Sequence, residues 1–144
     1  MADEESLYPI EVVLRGTPIS LQSKSSAHRE AWKQRVRDAT LSRREQVYQA
    51  ALLDDRPLAV TIYYFPSDPM EGDIDNIVKP IVDAMKGVSY LDDRSVERIA
   101  AQKFEPEEDW QCVAPTEQLA FALDMEPPVI YIRVEDDLHW RRFQ

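Results

Sequence analysis

The chain has 144 residues, one cysteine and a formal net charge of −10 at pH 7, from 17 basic and 27 acidic side chains. This length predicts one domain, residues 1–144, whose core needs neither disulfides nor a structural metal. The charge argues against a protein that simply coats nucleic acid, and Cys112 alone cannot form an intramolecular disulfide or a cysteine-based zinc cluster. An acidic Met1 to Ser6 and the lack of an apolar run of about 18 residues favour a cytoplasmic protein.

In chain order, the first half predicts a strand, a long helix and a second strand. Tyr8 to Arg15 is apolar and β-branched, and it is followed by Gly16-Thr17-Pro18. Ser26 to Leu52 is predicted as a helix, because a serine opens it and it contains no Gly or Pro. Pro57 to Phe65 is the clearest strand, and Pro66-Ser67-Asp68-Pro69 ends it.

Basic side chains are concentrated on one side of the long helix, provided that it is unbroken through Thr40. This side is either a solvated face or a surface that contacts phosphates, and the pattern leaves both alternatives open. The candidate nucleic-acid contacts in this segment are Lys24, Arg29, Lys33, Arg37 and Arg44.

A shorter helix is predicted from Asn76 to Lys86, where five apolar residues recur at helical spacing and Gly87 is suited to the C-terminal cap. Pro80 lacks an N–H, so we expect it near the first turn. Asp75 or Asn76 is then the expected N-cap, which leaves Asp73 in the preceding loop.

The last third predicts a strand from Ser95 to Phe104, an acidic loop from Glu105 to Pro115, a short helix from Thr116 to Leu123 and a strand from Pro128 to Val134. Strands and helices that alternate irregularly indicate an α+β domain, with a mixed β-sheet flanked by helices.

Carboxylates cluster around the shorter helix, in the stretches GDIDNIVKP and YLDD. If the chain returns along the helix, Asp92 or Asp93 approaches Asp73 and Asp75. Three carboxylates at close range need a cation, and Mg²⁺ prefers oxygen ligands of this kind. A calcium-binding loop is excluded, because its pattern requires Gly and Glu where this chain has Val78 and Ala84.

Lys79 lies four residues after Asp75, on the same face of the predicted helix. It forms either an ordinary surface ion pair or a fixed ammonium beside a metal site, able to orient water or to stabilise charge on a phosphoryl group. The spacing alone does not distinguish these roles.

The stretch GDIDNIVKPIVDAMKGVSYLDDRSVERIAAQK resembles the core signature of the RusA family of Holliday-junction resolvases. That signature runs Asp-x-Asp-Asn, two residues, Lys, a helix containing Asp, an Asp-Asp pair and a later Lys. The resemblance covers about a quarter of the chain. It implies a RusA-like fold and a metal-dependent endonuclease that acts as a homodimer on branched DNA.

Carried onto this sequence, the resemblance implies that Asp73, Asp75 and Asp93 bind Mg²⁺, with Mn²⁺ as a substitute, and that Lys79 is the catalytic lysine. Asp92 is then expected to be either an additional metal ligand or a hydrogen-bond acceptor that supports the metal ligands.

Two other polar residues of this stretch have structural explanations. Asn76 is expected to hold the loop and the start of the helix in place. Asp83 is expected to form a surface ion pair with Lys79 or Lys86.

The chain departs from the family in its charge. Where these resolvases carry basic residues before the first aspartate, this chain has Pro69-Met70-Glu71-Gly72. Arg141 and Arg142 add to the candidate DNA contacts, while Trp140 and Phe143 either stack on unpaired bases or pack on a dimer partner.

Three hypotheses follow for the function. The first is a nuclease that nicks four-way junctions in pairs, in DNA recombination and repair. The second keeps the nuclease site but uses another nucleic acid, or an accessory protein that supplies basic surface. The third is a non-catalytic RusA-like protein whose acidic surface binds another protein.

Overall fold

The computed structural model describes residues 6–47 and 52–144, and in these ranges three α-helices pack on one four-stranded sheet. The strands are β1 (Ile10–Arg15), β2 (Leu58–Phe65), β3 (Val96–Lys103) and β4 (Val129–Glu135). The α-helices are α1 (Ser26–Val47), α2 (Asp75–Met85) and α3 (Glu117–Asp124). Two 3-10 turns, Asp93–Ser95 and His139–Arg141, complete the regular structure of these ranges. The predicted α+β fold is confirmed.

Most predicted elements end within two residues of their observed bounds. The exception is α1, which ends at Val47, whereas the prediction continued to Leu52. Residues 48–51 lie outside the described residues, and Leu52 itself is not helical. The loop predicted from 105 to 115 is confirmed, and Thr116 caps α3 by accepting a hydrogen bond from the Leu119 N–H at 3.1 Å.

The sheet is mixed, with the strand order β1-β4-β2-β3. β4 pairs antiparallel with both β1 and β2, while β2 pairs parallel with β3. Two parallel neighbours cannot be joined by a tight hairpin, so the chain between them crosses over through α2. This connection brings α2 onto the sheet, next to the edge strand β3.

The main core lies between the sheet and the helices α1 and α2. Alternate residues of β2 and β4 face this side, so Val60, Ile62 and Ile132 are buried there with Trp32 and Val36 of α1. A second, smaller cluster beneath α3, on the opposite face, contains Phe65, Ala122, Val129 and Tyr131. None of the helices in the described ranges is long and apolar enough to cross a membrane.

The start of α2 differs from the prediction. Ile74 occupies the N-cap position in a helical conformation and makes no side-chain cap, so neither Asp75 nor Asn76 is the cap. Pro80 therefore lies beyond the first turn, where its missing N–H leaves the Asn76 carbonyl without its helical donor. The Leu21 N–H donates to that carbonyl instead, at 2.7 Å. A loop contact thus replaces the hydrogen bond that Pro80 removes.

The chain after α2 folds back onto the end of the helix. Gly87 adopts a φ of +84°, as expected of a glycine that terminates a helix, and its N–H donates to the Tyr90 carbonyl at 2.6 Å. The fully buried Tyr90 donates its hydroxyl to the Val82 carbonyl at 2.5 Å. These bonds fix the path of the segment that leads to Asp92 and Asp93.

We predict that Tyr90→Phe lowers the free energy of unfolding by about 1–3 kcal/mol, because the substitution leaves the buried Val82 carbonyl without this donor. Urea unfolding followed by circular dichroism measures the change. Tyr63→Phe is the matched control, since the Tyr63 hydroxyl has no hydrogen-bond partner in the described part of the chain. An equal loss in both variants would contradict a specific role for the Tyr90 hydroxyl.

Candidate functional site

Asp75, Lys79 and Asp93 line one shallow depression of about 370 Å³ between α2 and β3. Asp75 and Lys79 lie one turn apart on α2 and therefore share a face of the helix. Asp93 begins the 3-10 turn that leads into β3. Val78, Val82, Val96 and Ile99 supply the apolar part of the lining. Three of the four predicted catalytic residues thus lie around one surface.

Asp73 lies elsewhere. It lines a separate depression of about 380 Å³, together with residues of the loop after β1, such as Thr17 and Ser20. The reason lies in the turn: Ile74 has helical dihedral angles, and the Asn76 N–H donates to the Asp73 carbonyl at 3.1 Å. Asp73 therefore belongs to the incoming loop, whereas Asp75 is the first residue of α2.

The ligand atoms of Asp73, Asp75 and Asp93 do not all lie within 4.8 Å of one another. In residues 6–47 and 52–144, the one group of three metal-ligating side chains with ligand atoms within 4.8 Å of one another is a different group, described below. The assignment of these aspartates as metal ligands stays a prediction.

Asp92 and Asp93 have different surroundings. The Asp92 carboxylate caps the 3-10 turn by accepting from the Arg94 N–H at 3.3 Å. Hydrogen bonding with the adjacent Asp93 side chain, and then the bond from the Arg94 N–H, lower the pKa of Asp92. Asp92 therefore has a local structural role, while Asp93 is the member of the pair that lines the depression beside α2.

Lys79 forms an ion pair with Asp83. The sequence predicted a partner for Asp83 in either Lys79 or Lys86. Lys79 Nζ lies 2.8 Å from Asp83 Oδ1, one turn further along α2. The hydrogen bond and charge of Asp83, with a smaller contribution from the charge of Asp93, raise the pKa of Lys79. Lys79 is therefore an ammonium at neutral pH.

Glu105 fixes the loop that carries Asp73. Its carboxylate accepts from the Met70 N–H at 2.5 Å and forms an ion pair with Lys103 at 3.1 Å. The bond from Met70, and then that from Lys103, lower the pKa of Glu105. The loop between β2 and α2 is thereby joined to the end of β3.

The predicted DNA contacts on α1 are largely used within the protein itself. Arg29 donates to the Ser23 carbonyl, and Arg44 donates to the Val88 carbonyl at 3.1 Å. Lys33 lies between the carboxylates of Glu30 and Asp83, at 3.7 and 3.9 Å. Lys24 and Arg37 have no ion pair or side-chain hydrogen bond to the described residues. Of the five, these two are therefore the most available for a phosphate.

Arg141 and Arg142, the two basic residues near the C-terminus, also differ in whether they have a partner within the chain. Arg141 forms a bidentate pair with Glu97 on β3, at 2.9 and 2.6 Å, and the Trp140 indole donates to the same carboxylate at 2.9 Å. Arg141, and then Trp140, lower the pKa of Glu97 to about 2. Phe143 is 91% exposed, and Arg142 has no partner within the described ranges. The Trp140 indole N–H is thus already bonded within the chain.

Sequence reasoning missed a group of metal-ligating side chains after β4, formed by Glu135, Asp137 and His139. His139 Nε2 lies 2.7 Å from Glu135 Oε1 and 3.7 Å from Asp137 Oδ1. The signal was the alternate spacing of the three residues in EDDLH, and Leu138, between the last two, has a left-handed φ of +62°. Glu135 also accepts from Arg133 Nε at 2.9 Å, so part of its charge is already compensated.

Glu135 and His139 also belong to the wall of a broad groove of about 580 Å³ on the face of the sheet that carries α3. Aromatic rings of Tyr63, Phe104 and Trp110 line the same groove. It lies on the opposite face from the depression beside α2, so the two surfaces are separate.

In a comparison with protein families, residues 15–110 match the family model described as Endodeoxyribonuclease RusA. The match covers two thirds of the chain. The chain belongs to the RusA family. The matched region contains all four predicted catalytic residues, and it ends before the group around Glu135. No curated protein matches the chain. RusA membership identifies the protein as a nuclease of the endodeoxyribonuclease type and implies a Holliday-junction substrate.

We predict that Glu97→Gln strengthens DNA binding, because it releases the Arg141 guanidinium and removes one negative charge. The slope of log K against log salt concentration should become steeper by about one, as for one added phosphate contact. Fluorescence anisotropy of a labelled junction in EDTA measures the affinity at several salt concentrations.

Glu126→Gln is the control for this experiment, since it removes the same charge where no described side chain forms an ion pair with it. An identical response of both variants would show that net charge, and not the release of Arg141, causes the effect.

Proposed function

We propose that this RusA-family protein is a Mg²⁺-dependent endonuclease that resolves four-way DNA junctions by paired nicking, in recombination and repair. Mn²⁺ is expected to replace Mg²⁺. The proposal treats residues 1–144 as one nuclease domain that works in the cytoplasm. The observation that carries it is the common depression of Asp75, Lys79 and Asp93, inside the region that matches the family.

The donor chemistry of this depression suits Mg²⁺. Asp75 is exposed, Asp93 is partly exposed, and both are oxygen donors of the kind that Mg²⁺ prefers over nitrogen or sulfur. Neither forms an ion pair of 4.0 Å or less within the described ranges. Asp73 is the third proposed ligand, and Asp92 supports the turn that carries Asp93. A bound Mg²⁺ supplies an activated water and neutralises charge at the phosphodiester.

Lys79 has a distinct role in the proposed reaction. As an ammonium, it stabilises negative charge on the oxygens of the transferring phosphoryl group, and it does not act as a proton acceptor. In-line attack of water then leaves a 5′-phosphate and a 3′-hydroxyl.

Paired nicking requires two copies of the site. We propose a homodimer whose two-fold axis matches the symmetry of a four-way junction, so that each subunit cuts one of two related strands. The dimer follows from the family resemblance.

An accessory protein that helps the nuclease to hold DNA is a second possibility. The net charge is −10, and most of the basic residues predicted to contact DNA form hydrogen bonds or ion pairs within the chain. In this case the nuclease site is the same, but an accessory protein supplies the positive surface that holds DNA. A non-catalytic role, with the acidic surface binding a protein partner, is the remaining alternative.

We predict symmetric nicking of a labelled synthetic four-way junction in Mg²⁺, and no cleavage in EDTA. Asp75→Asn should slow cleavage on the order of 100-fold or more, the scale for loss of one preorganised electrostatic contact. Asp124→Asn is the matched control, because it removes an exposed carboxylate at the end of α3 on the other face of the sheet.

Duplex, flap and single-stranded DNA serve as substrate controls in the same assay. Cleavage of these substrates but not of the junction would support a different nucleic-acid substrate. If no DNA is cut in Mg²⁺ or Mn²⁺ over a range of salt concentrations, the unaided enzyme is rejected, and the accessory-protein and non-catalytic alternatives remain.

We predict that Asp75→Asn and Asp93→Asn weaken Mg²⁺ binding in a calorimetric titration, whereas Glu135→Gln leaves it unchanged. The reason is that Glu135 is already paired with Arg133 and His139, while the two aspartates have no compensating cation within ion-pair distance in the described chain. Loss of Mg²⁺ binding only in Glu135→Gln would move the proposed metal site to the group after β4.

A further inference from the structure

Asp83 lies between two lysines from different helices. Its Oδ1 is 2.8 Å from Lys79 Nζ on the same helix, and its Oδ2 is 3.9 Å from Lys33 Nζ on α1. The Asp83 side chain is 30% exposed, and those of Lys33 and Lys79 are 24% and 56% exposed. The Asp83 carboxylate therefore connects Lys33 of α1 to Lys79, the predicted catalytic lysine on α2.

Lys79 has a choice of two carboxylates on α2, since Asp75 lies four residues before it and Asp83 four residues after it. On an isolated helix the order with the acid before the base is the more favourable one, because it agrees with the helix macrodipole. Local preference thus favours Asp75, yet Lys79 pairs with Asp83 and forms no ion pair with Asp75. Lys79 thus pairs against this local preference, and its partner Asp83 has a further contact outside α2.

Lys33 provides that contact. It places a second positive charge beside Asp83, where the packing of α1 against α2 brings the two side chains together. The ion pair with Lys33 holds the Asp83 carboxylate through Oδ2, while Oδ1 accepts from Lys79. Asp75, at the exposed start of α2, has no equivalent neighbour in the described residues.

We propose that Asp83 is a positioning residue, which keeps the Lys79 ammonium off the Asp75 carboxylate. Lys33 holds Asp83 in place for this role. An unpaired Asp75 is available to a divalent cation, whereas an ammonium bound to it would first have to be displaced. This inference rests on the proposed function, because it assigns the purpose of the arrangement to the metal and phosphate chemistry of the same depression.

The test is the Mg²⁺ dependence of junction cleavage by Asp83→Asn. Loss of a group that orients a metal site changes metal affinity or activity by about 10–100-fold. We therefore expect the Mg²⁺ concentration for half-maximal rate to rise about 10-fold, with the rate largely restored at saturating Mg²⁺. Asp83→Glu, which keeps the charge, should recover most of the affinity, and Lys33→Gln should shift it in the same direction as Asp83→Asn.

Asp38→Asn is the matched control for these variants. It removes an exposed α1 carboxylate that accepts only from Gln34, at 2.8 Å, within the described residues. Its Mg²⁺ dependence should equal that of the unsubstituted protein. A urea midpoint measured for each variant identifies any loss that comes from unfolding, which additional Mg²⁺ would not reverse in the same way.

A second measurement examines the lysine without any cleavage assay. A carbodiimide joins amines to carboxylates in contact, and mass spectrometry locates the new amide. The unsubstituted protein should give Lys79–Asp83 and Lys33–Asp83 products, and Asp83→Asn should give Lys79–Asp75 instead. A dominant Lys79–Asp75 product in the unsubstituted protein would overturn the proposal.

The two proposals fail in different ways. If the unsubstituted protein cuts no DNA, the proposed nuclease function fails, while the carbodiimide products and calorimetric Mg²⁺ binding still decide the role of Asp83. If the protein cuts junctions and Lys79→Ala does not, but Asp83→Asn has an unchanged Mg²⁺ dependence, the positioning role alone is wrong.

Discussion

The burial of one side of α2 against the sheet determines where the charged side chains of this protein lie. Ile77, Ile81 and Met85 are at most 2% exposed and follow one another at four-residue intervals. The charged series that begins at Asp75 has the same interval, displaced by two positions, so it projects about 200° away from the buried side. Rotating α2 to move its charges would bury them and expose the core, which would cost far more than any ion pair returns.

Contacts from α1 and from the loop after β1 then adjust this helix. The Leu21 N–H donates to the Asn76 carbonyl, which Pro80 leaves without a helical donor. Lys33 lies beside Asp83. Near the C-terminal end of α2, the Tyr90 hydroxyl donates to the Val82 carbonyl. Each contact joins residues that are distant in sequence or separated by a turn, and together they connect both ends of α2 to the rest of the fold.

The sequence predicted the elements well where a local pattern specifies them. Pro57 to Phe65 has a clear strand composition, and the apolar spacing after Asn76 specifies a helix that ends before Gly87. The start of that helix was wrong, because a capping preference favoured Asp75 or Asn76 and the fold extends the helical turn through Ile74. Asp73 and Asp75 also line separate depressions, which the sequence did not predict.

The partners of the basic residues were beyond sequence reasoning for a related reason. A helical wheel shows that Arg29 and Arg44 share a side of α1, but not that the Ser23 and Val88 carbonyls lie within their reach. The Arg141–Glu97 pair likewise depends on the C-terminal turn meeting β3. The group after β4 was visible as alternate acidic and histidine residues, but the distances between them depend on the backbone after the strand, where Leu138 is left-handed.

The position of β4 has a consequence for how the chain acquires its structure during synthesis. β4 lies between β1 and β2 in the sheet, but its residues Val129–Glu135 follow both strands in the chain and leave the ribosome after them. Until then β1 and β2 have no common neighbour, although more than a hundred residues, including the whole family-matched region, are already outside. The nascent protein therefore carries two unpaired strand edges until β4 emerges, an interval in which binding by a chaperone would protect it from aggregation.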